Sequence, residues 1–357
     1  MNSAGGVLMG SVPAIPEAHW IASLRIASGA ADPPVAWVPV AWLIERLAAF
    51  EYLPLYLGLA LLAAWSLKGR DPERARQCRV LALQLAAAGI VCLTLVVTAQ
   101  AALALPRPPS ATAAHDLADL YAFPSAHAAF AAVLAWSGGR LLAWPGRIGL
   151  LAFVLGAGLA GVALGKHYWL DIYAGWLLGA ACAWLAATVL RTAERDRWAA
   201  GSFALAAFVL VADLLTKLAA SGAIAYATAV PITPFFNLVH WRNPGAAFSF
   251  LSDATGWQRP FLISVATLAS VWLARAIRAP TASPLERLAF GAILGGAAAN
   301  GVDRALRGAV VDWLDFHVAG FHWPAFNLAD IGITLGAAGL LVAALRPTGR
   351  LSMQERA

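Results

Sequence analysis

The stretch VVDWLDFHVAGFHWPAFNLAD, residues 310–330, opens and closes on aspartates with apolar flanks. Asp330 stands at the mouth of an apolar run, where a carboxylate is costly unless a partner or a function offsets it. If Asp312 and Asp330 converge where two chain segments meet at a membrane surface, they cannot both ionise cheaply. One then keeps a proton near neutral pH. The charged carboxylate can activate a water and the protonated one can donate to a carbonyl oxygen. That is aspartic-peptidase chemistry, with no metal and no nucleophilic side chain. Around them lie Asn243, Asn300 and Asn327, whose amides can hold a peptide backbone. Arg304 can fix a carboxylate or a loop carbonyl. Asp213 and Lys217 are spaced i, i+4 and can pair on one helix face. Asp303, in NGVDR, is the second choice for a dyad role. Taken singly, each of these residues is explained as a helix cap or a snorkelling anchor. Three asparagines and four aspartates gathered at one face are not.

A second constellation lies upstream. His167 and Asp171 are one helical turn apart, so the carboxylate can fix the imidazole tautomer and leave the other nitrogen as a nucleophile. His127 follows Ser125 at a helix start and can protonate a leaving alkoxide. Ser125 and nearby backbone N–H groups suit phosphate oxygens, and Arg107 supplies a planar donor fork. Together these point to phosphoryl transfer through histidine.

Both sets must be carried by membrane helices. The chain of 357 residues is 61% hydrophobic and 12% charged, and a soluble domain carries about twice that charge. Uncharged runs at 80–106, 120–139, 148–165 and 172–190 are long enough to span, 47–67 is nearly so, and 199–212, 260–274, 288–302 and 331–345 approach span length with their polar ends. The expectation is an all-α, polytopic membrane helical bundle of about nine transmembrane helices in two domains. Basic residues cluster in 68–79, 140–147, 191–197, 275–287 and the tail, all on one side if the crossings alternate. By the positive-inside rule that side is cytoplasmic. The reactive residues then fall on the opposite face. This distribution disfavours a transporter, whose polar groups gather near the midplane. The net charge of +6 is accounted for by those loops and calls for no nucleic acid. Cys78, Cys92 and Cys182 show neither a disulfide framework nor metal spacing, and no metal or cofactor is expected. Residues 1–34 hold Glu17, Arg25 and Asp32 and lack the apolar core of a cleavable signal, and 1–46 read either as an amphipathic segment or as one short extra span. The expected divisions are 1–46 (an unassigned segment), 47–190, a cytoplasmic linker at 191–197, 198–346, and a cytoplasmic tail at 347–357.

The blocks DLLTK, RNPGAAFSF, GGAAANGVDR, VVDWLDF and FNLAD, in this order over 198–346, resemble lipoprotein signal peptidase, also called signal peptidase II. The resemblance implies cleavage of diacylglyceryl-modified prolipoproteins before the lipid-bearing cysteine, at the outer face of the bacterial inner membrane. It assigns the catalytic pair to Asp312 and Asp330 and support to Asp213, Lys217, Asn243, Asn300, Arg304 and Asn327. The upstream blocks ALPRPPS, YAFPSAHAAF and GKHYWLDIYAG resemble the type 2 phosphatidic acid phosphatase superfamily over about 52–190. Here the acid, the nucleophile and the orienting carboxylate match. Gln100 stands where a lysine is usual and Gly161 where an arginine is usual. Such cations stabilise charge in phosphoryl transfer, and Lys166 is the candidate replacement. The resemblance implies a lipid phosphate as ligand. It leaves two alternatives: a phosphatase-like domain without turnover, or a second, histidine-based phosphatase activity.

Overall fold

The computed structural model describes residues 41, 43–44, 47–108, 121–245, 257–318 and 320–345. The expectations for most of 1–46, for the tail and for loop residues 246–249 lie outside them. The chain divides into two compact units, residues 1–184 and 185–357.

In the first unit a short 3-10 turn, Phe50–Tyr52, leads into α1 (Leu53–Leu67). α1 leaves Leu55, Leu59, Leu61, Leu62 and Trp65 exposed. An apolar helix with so little buried surface is stable only against lipid. α2 (Pro72–Leu103) starts at Asp71, whose side chain accepts from the Arg74 N–H, and stops at Ala104 in the left-handed region. α3 (Ala126–Gly138) is the buried centre of this unit and is capped by Ser125. α4 (Trp144–Ala163) and α5 (Trp169–Arg195) follow. α5 lies backbone to backbone on α3: a Cβ at Gly179 would sit 2.0 Å from the Ala129 carbonyl oxygen. No side chain fits there, and the contact brings the start of α5 against the start of α3.

The second unit begins its described helices with α6 (Arg197–Ala223), whose cap Asp196 accepts from the Trp198 and Ala199 N–H groups. Then come β1 (Ala229–Thr233), β2 (Phe236–Asn243), α7 (Gln258–Ile277), α8 (Pro284–Arg307), β3 (Val310–Val318), β4 (Phe321–His322) and α9 (Leu328–Leu345). α8 packs against α6, α7 and α9. It opens with a Ser283–Glu286 capping box and ends at Gly308 with φ +76°. The strands form one antiparallel sheet in the order β1-β2-β3-β4. Trp241 pairs with Asp312 and Asn243 with Val310, with a bulge between Leu238 and Trp241.

The helical membrane bundle expected from sequence is the architecture found. Nine α-helices occur among the described residues, and seven spans are long and apolar enough to cross a membrane. The two remaining helices differ for separate reasons. α3 has only 13 residues, because 121–125 are drawn out to carry the Ser125 turn. α8 carries Glu286, Arg287, Asp303, Arg304 and Arg307 at its ends, which lowers its hydropathy while neighbouring helices enclose its small-residue middle. The sheet is an element that the helical periodicity did not announce.

Candidate active sites

β3 brings Asp312 to the start of α9, where Asp330 occupies the first turn. Asn327 joins the two. Its Oδ1 accepts from the Asp330 N–H at 3.0 Å, its own N–H donates to Asp330 Oδ2 at 3.2 Å, and its Nδ2 donates to Asp312 Oδ1 at 2.7 Å. The first two bonds are a reciprocal helix cap of the capping-box kind. The third runs sideways into the dyad. Asn243 Nδ2 lies 3.4 Å from the other Asp312 oxygen, and Asn300 Nδ2 donates to Asp330 Oδ1 at 3.0 Å. All three predicted asparagines therefore touch the carboxylates. Burial, and then the charge of Asp330, push the Asp312 carboxyl up to about 7. The pair accordingly takes up a proton near neutral pH.

Behind the dyad lies a closed ionic network. Lys217 Nζ is 2.6 Å from Asp213 Oδ2 and 3.2 Å from Asp303 Oδ2, and it donates to Asn300 Oδ1 at 2.8 Å. Asp213 Oδ1 accepts from the Ala329 N–H at 2.8 Å, pinning the first turn of α9. Asp303 also pairs with Arg307 and accepts from the Val311 N–H at 3.1 Å, pinning β3 one residue before Asp312. Lys217, Asp213 and Asp303 are fully buried. They act on the dyad through Asn300, α9 and β3, and none of the three is open to a substrate. Arg304 donates to the Gly245 carbonyl at 2.7 Å and to the Asn300 carbonyl at 3.2 Å, so it holds the loop that follows Asn243.

Sequence reasoning missed Asp315, Asn237 and His322. Asp315 is fully buried, accepts from Asn237 Nδ2 at 2.8 Å and faces His322 Nδ1 at 2.9 Å. These contacts tie β2, β3 and β4 into the platform that carries Asp312. The signal for Asp315 was the short β-rich run VVDWLDFHV with its aromatic and β-branched residues, and that for Asn237 the similar run FNLVHWRN.

In the first unit the three motifs meet. The Ser125 N–H donates to the Asp171 carbonyl at 3.0 Å, and the Gln100 amide donates to the Pro124 carbonyl at 3.0 Å. Arg107 Nη1 approaches the Lys166 carbonyl at 3.4 Å. Asp171 Oδ2 accepts from the Tyr168 N–H at 3.0 Å and lies 3.5 Å from His167 Nδ1. Gln100 is thus engaged with the backbone of the Ser125 turn. A Cβ at Gly161 would lie 3.2 Å from the His167 ring, so the position that lacks arginine adjoins the imidazole itself. His167 is only 2% exposed, whereas His127 on the first turn of α3 is half-buried.

Comparison with known proteins matches a different family model to each half of the chain. The family model of signal peptidase II matches residues 205–346, and that of the PAP2 superfamily matches residues 79–195. The lipoprotein signal peptidase of Ralstonia nicotianae is 46% identical over 141 residues, 40% of this chain and 82% of the relative. That of Cupriavidus taiwanensis is 43% identical over 162 residues, 44% and 92% of the two chains. A solved bacterial membrane enzyme aligns at 27% identity over 43% of this chain and 93% of its own, with a TM-score of 0.38. With four-fifths or more of two such relatives covered at this identity, the chain belongs to the signal peptidase II family through its C-terminal half.

Proposed function

We propose that the C-terminal half is an aspartic endopeptidase that cleaves diacylglyceryl-modified prolipoproteins before the lipid-bearing cysteine, with Asp312 and Asp330 as the dyad. The observation that carries this reading is Asn327, which bonds both carboxylates: its side-chain amide donates to Asp312 and its backbone N–H donates to Asp330. The Asp330 carboxylate takes a proton from water as its oxygen attacks the scissile carbonyl. Asp312 gives its proton to the carbonyl oxygen; on collapse of the tetrahedral adduct Asp330 passes the proton it took from water to the leaving nitrogen and Asp312 takes a proton back from the diol, which restores both groups. Asn243 stands beside Asp312, and Arg304 holds Gly245 two residues further on. The alternation of basic segments supports an inner-membrane location with the dyad on the outer face. Asp312→Asn and Asp330→Asn should each lower prolipoprotein cleavage by at least about a thousandfold while the protein stays folded. Full activity in either variant rules out this dyad, and Asp303→Asn would be the next substitution.

For the N-terminal half, we infer a lipid-phosphate-binding domain whose turnover is impaired. His167, Asp171 and His127 keep the positions of nucleophile, orienting carboxylate and acid. Gln100 and Gly161 remove two cations from a reaction that needs them. The retained histidine geometry favours the alternative, a true second phosphatase in which Lys166 replaces the lost charge. Phosphate release from a panel of lipid phosphates, with His167→Ala alongside, separates the two. Release that vanishes in the variant establishes the second enzyme. No release, or release unchanged in the variant, leaves binding or scaffolding as the role.

A further inference from the structure

Adjacent residues of a strand point to opposite faces of the sheet. Asn243 reaches Asp312 on one face, so Arg242 projects from the other. There its guanidinium stacks over the Tyr226 ring, 5.2 Å from the centroid. The same ring meets His240 edge-on at 5.6 Å. His240 Nδ1 contacts the carbonyl of Ile224, the residue that ends α6, at 3.1 Å. This contact fixes the group within one turn of the end of a membrane-spanning helix. Burial, reinforced by the charges of Arg242 and Arg307, holds His240 below the usual histidine range. The charge of the cluster is therefore that of the two arginines, and Arg307 is neutralised by Asp303. Among the described residues Arg242 pairs with no carboxylate, and its Nε is buried without a hydrogen-bond partner. Tyr226 is 60% exposed beside it.

A half-buried arginine that lies over an aromatic ring, has no counter-ion among the described residues and stands within a turn of the end of a membrane-spanning helix has one abundant anion in reach. We propose that Arg242 and Tyr226 form a binding site for the phosphate of a membrane phospholipid, on the sheet face opposite the dyad. The guanidinium fork matches two phosphate oxygens, and the stacking on Tyr226 holds the fork in place before the lipid arrives. The diacylglyceryl group of the proposed peptidase substrate carries no phosphate, so this ligand is distinct from that substrate. Its role is to set the height of the sheet, and so of Asp312, at the bilayer surface.

The test uses the full chain in a maltoside micelle, which contains no phosphate. It compares phosphatidylglycerol bearing a photoactivatable group near its phosphate with diacylglycerol bearing the same group. Labelling is read only in the segment 224–243, which excludes lipid taken up by the N-terminal half. Phosphatidylglycerol should label that segment and diacylglycerol should not. Arg242→Gln and Tyr226→Leu should each reduce the labelling by about fivefold, the weight of one interfacial arginine. If Arg242→Gln melts early, Tyr226→Leu decides. Undiminished labelling in the folded variants, or equal labelling by diacylglycerol, overturns the proposal. Loss of labelling on adding millimolar inorganic phosphate would assign the site to free phosphate and overturn the lipid assignment.

Discussion

Replacing Asn327 by serine separates two functions of one side chain. Asparagine and serine are equally good helix caps, so the bond to the Asp330 N–H and the start of α9 survive. The amide donor directed at Asp312 does not. That bond, 2.7 Å from Nδ2 to Oδ1, favours the ionised carboxylate and opposes the burial that pushes Asp312 up to about 7. A hydrogen bond to a charged group is worth about 1.5–3 kcal/mol. At about 1.36 kcal/mol per pH unit, its loss should raise Asp312 by about 1–2 units. The sign follows from the mechanism. Cleavage needs the proton on Asp312, so activity falls as pH rises through that value, near 7 in the wild type. In Asn327→Ser the alkaline limb should move upward by about 1–2 units. The assay is kcat/KM for a fluorogenic lipopeptide, followed from mildly acid to mildly alkaline pH, with thermal unfolding as the control on folding. A limb that stays in place, or moves toward acid, refutes both the placement of the proton on Asp312 and the part given to Asn327.

The buried network makes a stability prediction. Lys217→Met leaves Asp213 and the Lys217-facing oxygen of Asp303 without their cation, at a cost of about 3–5 kcal/mol. Thermal unfolding in detergent should show a clear drop, and a wild-type melting temperature would contradict the network. Gly296 is where α8 meets α9 most closely: a Cβ there would lie 2.4 Å from the Ala329 carbonyl oxygen. Gly296→Ala should cost about 1–3 kcal/mol and lower cleavage by shifting the turn that carries Asp330. Gly222→Ala, with nothing within 4 Å of the added carbon, should raise stability by about 0.4–1 kcal/mol and leave cleavage unchanged.

What was legible in the sequence was whatever a charge or an amide must do to be tolerated beside lipid. Asp213 and Lys217, four apart in an apolar helix, announce a pair, and the structure supplies that pair together with its second carboxylate, Asp303. The crossings were legible because hydrocarbon admits little besides apolar helices. The two helices that fall outside the length-and-hydropathy pattern, α3 and α8, are surrounded by protein and so escape that constraint. The sheet was hidden for the opposite reason. It lies beyond the ends of the spans, where the period-two signal of nine residues competes with the aromatic enrichment expected of any interfacial loop. Asp315 and His322 were lost with it, since neither belongs to a helix and each is explained only by its cross-strand neighbours. The same limit applies to Arg242. In one dimension it is another interfacial cation, whereas in the folded sheet it lies on Tyr226, sixteen residues back, on the opposite face from the residue next to it. Strand parity thus separates the two proposed roles: one face of β2 holds the asparagine beside Asp312, and the other holds the arginine proposed to meet the bilayer.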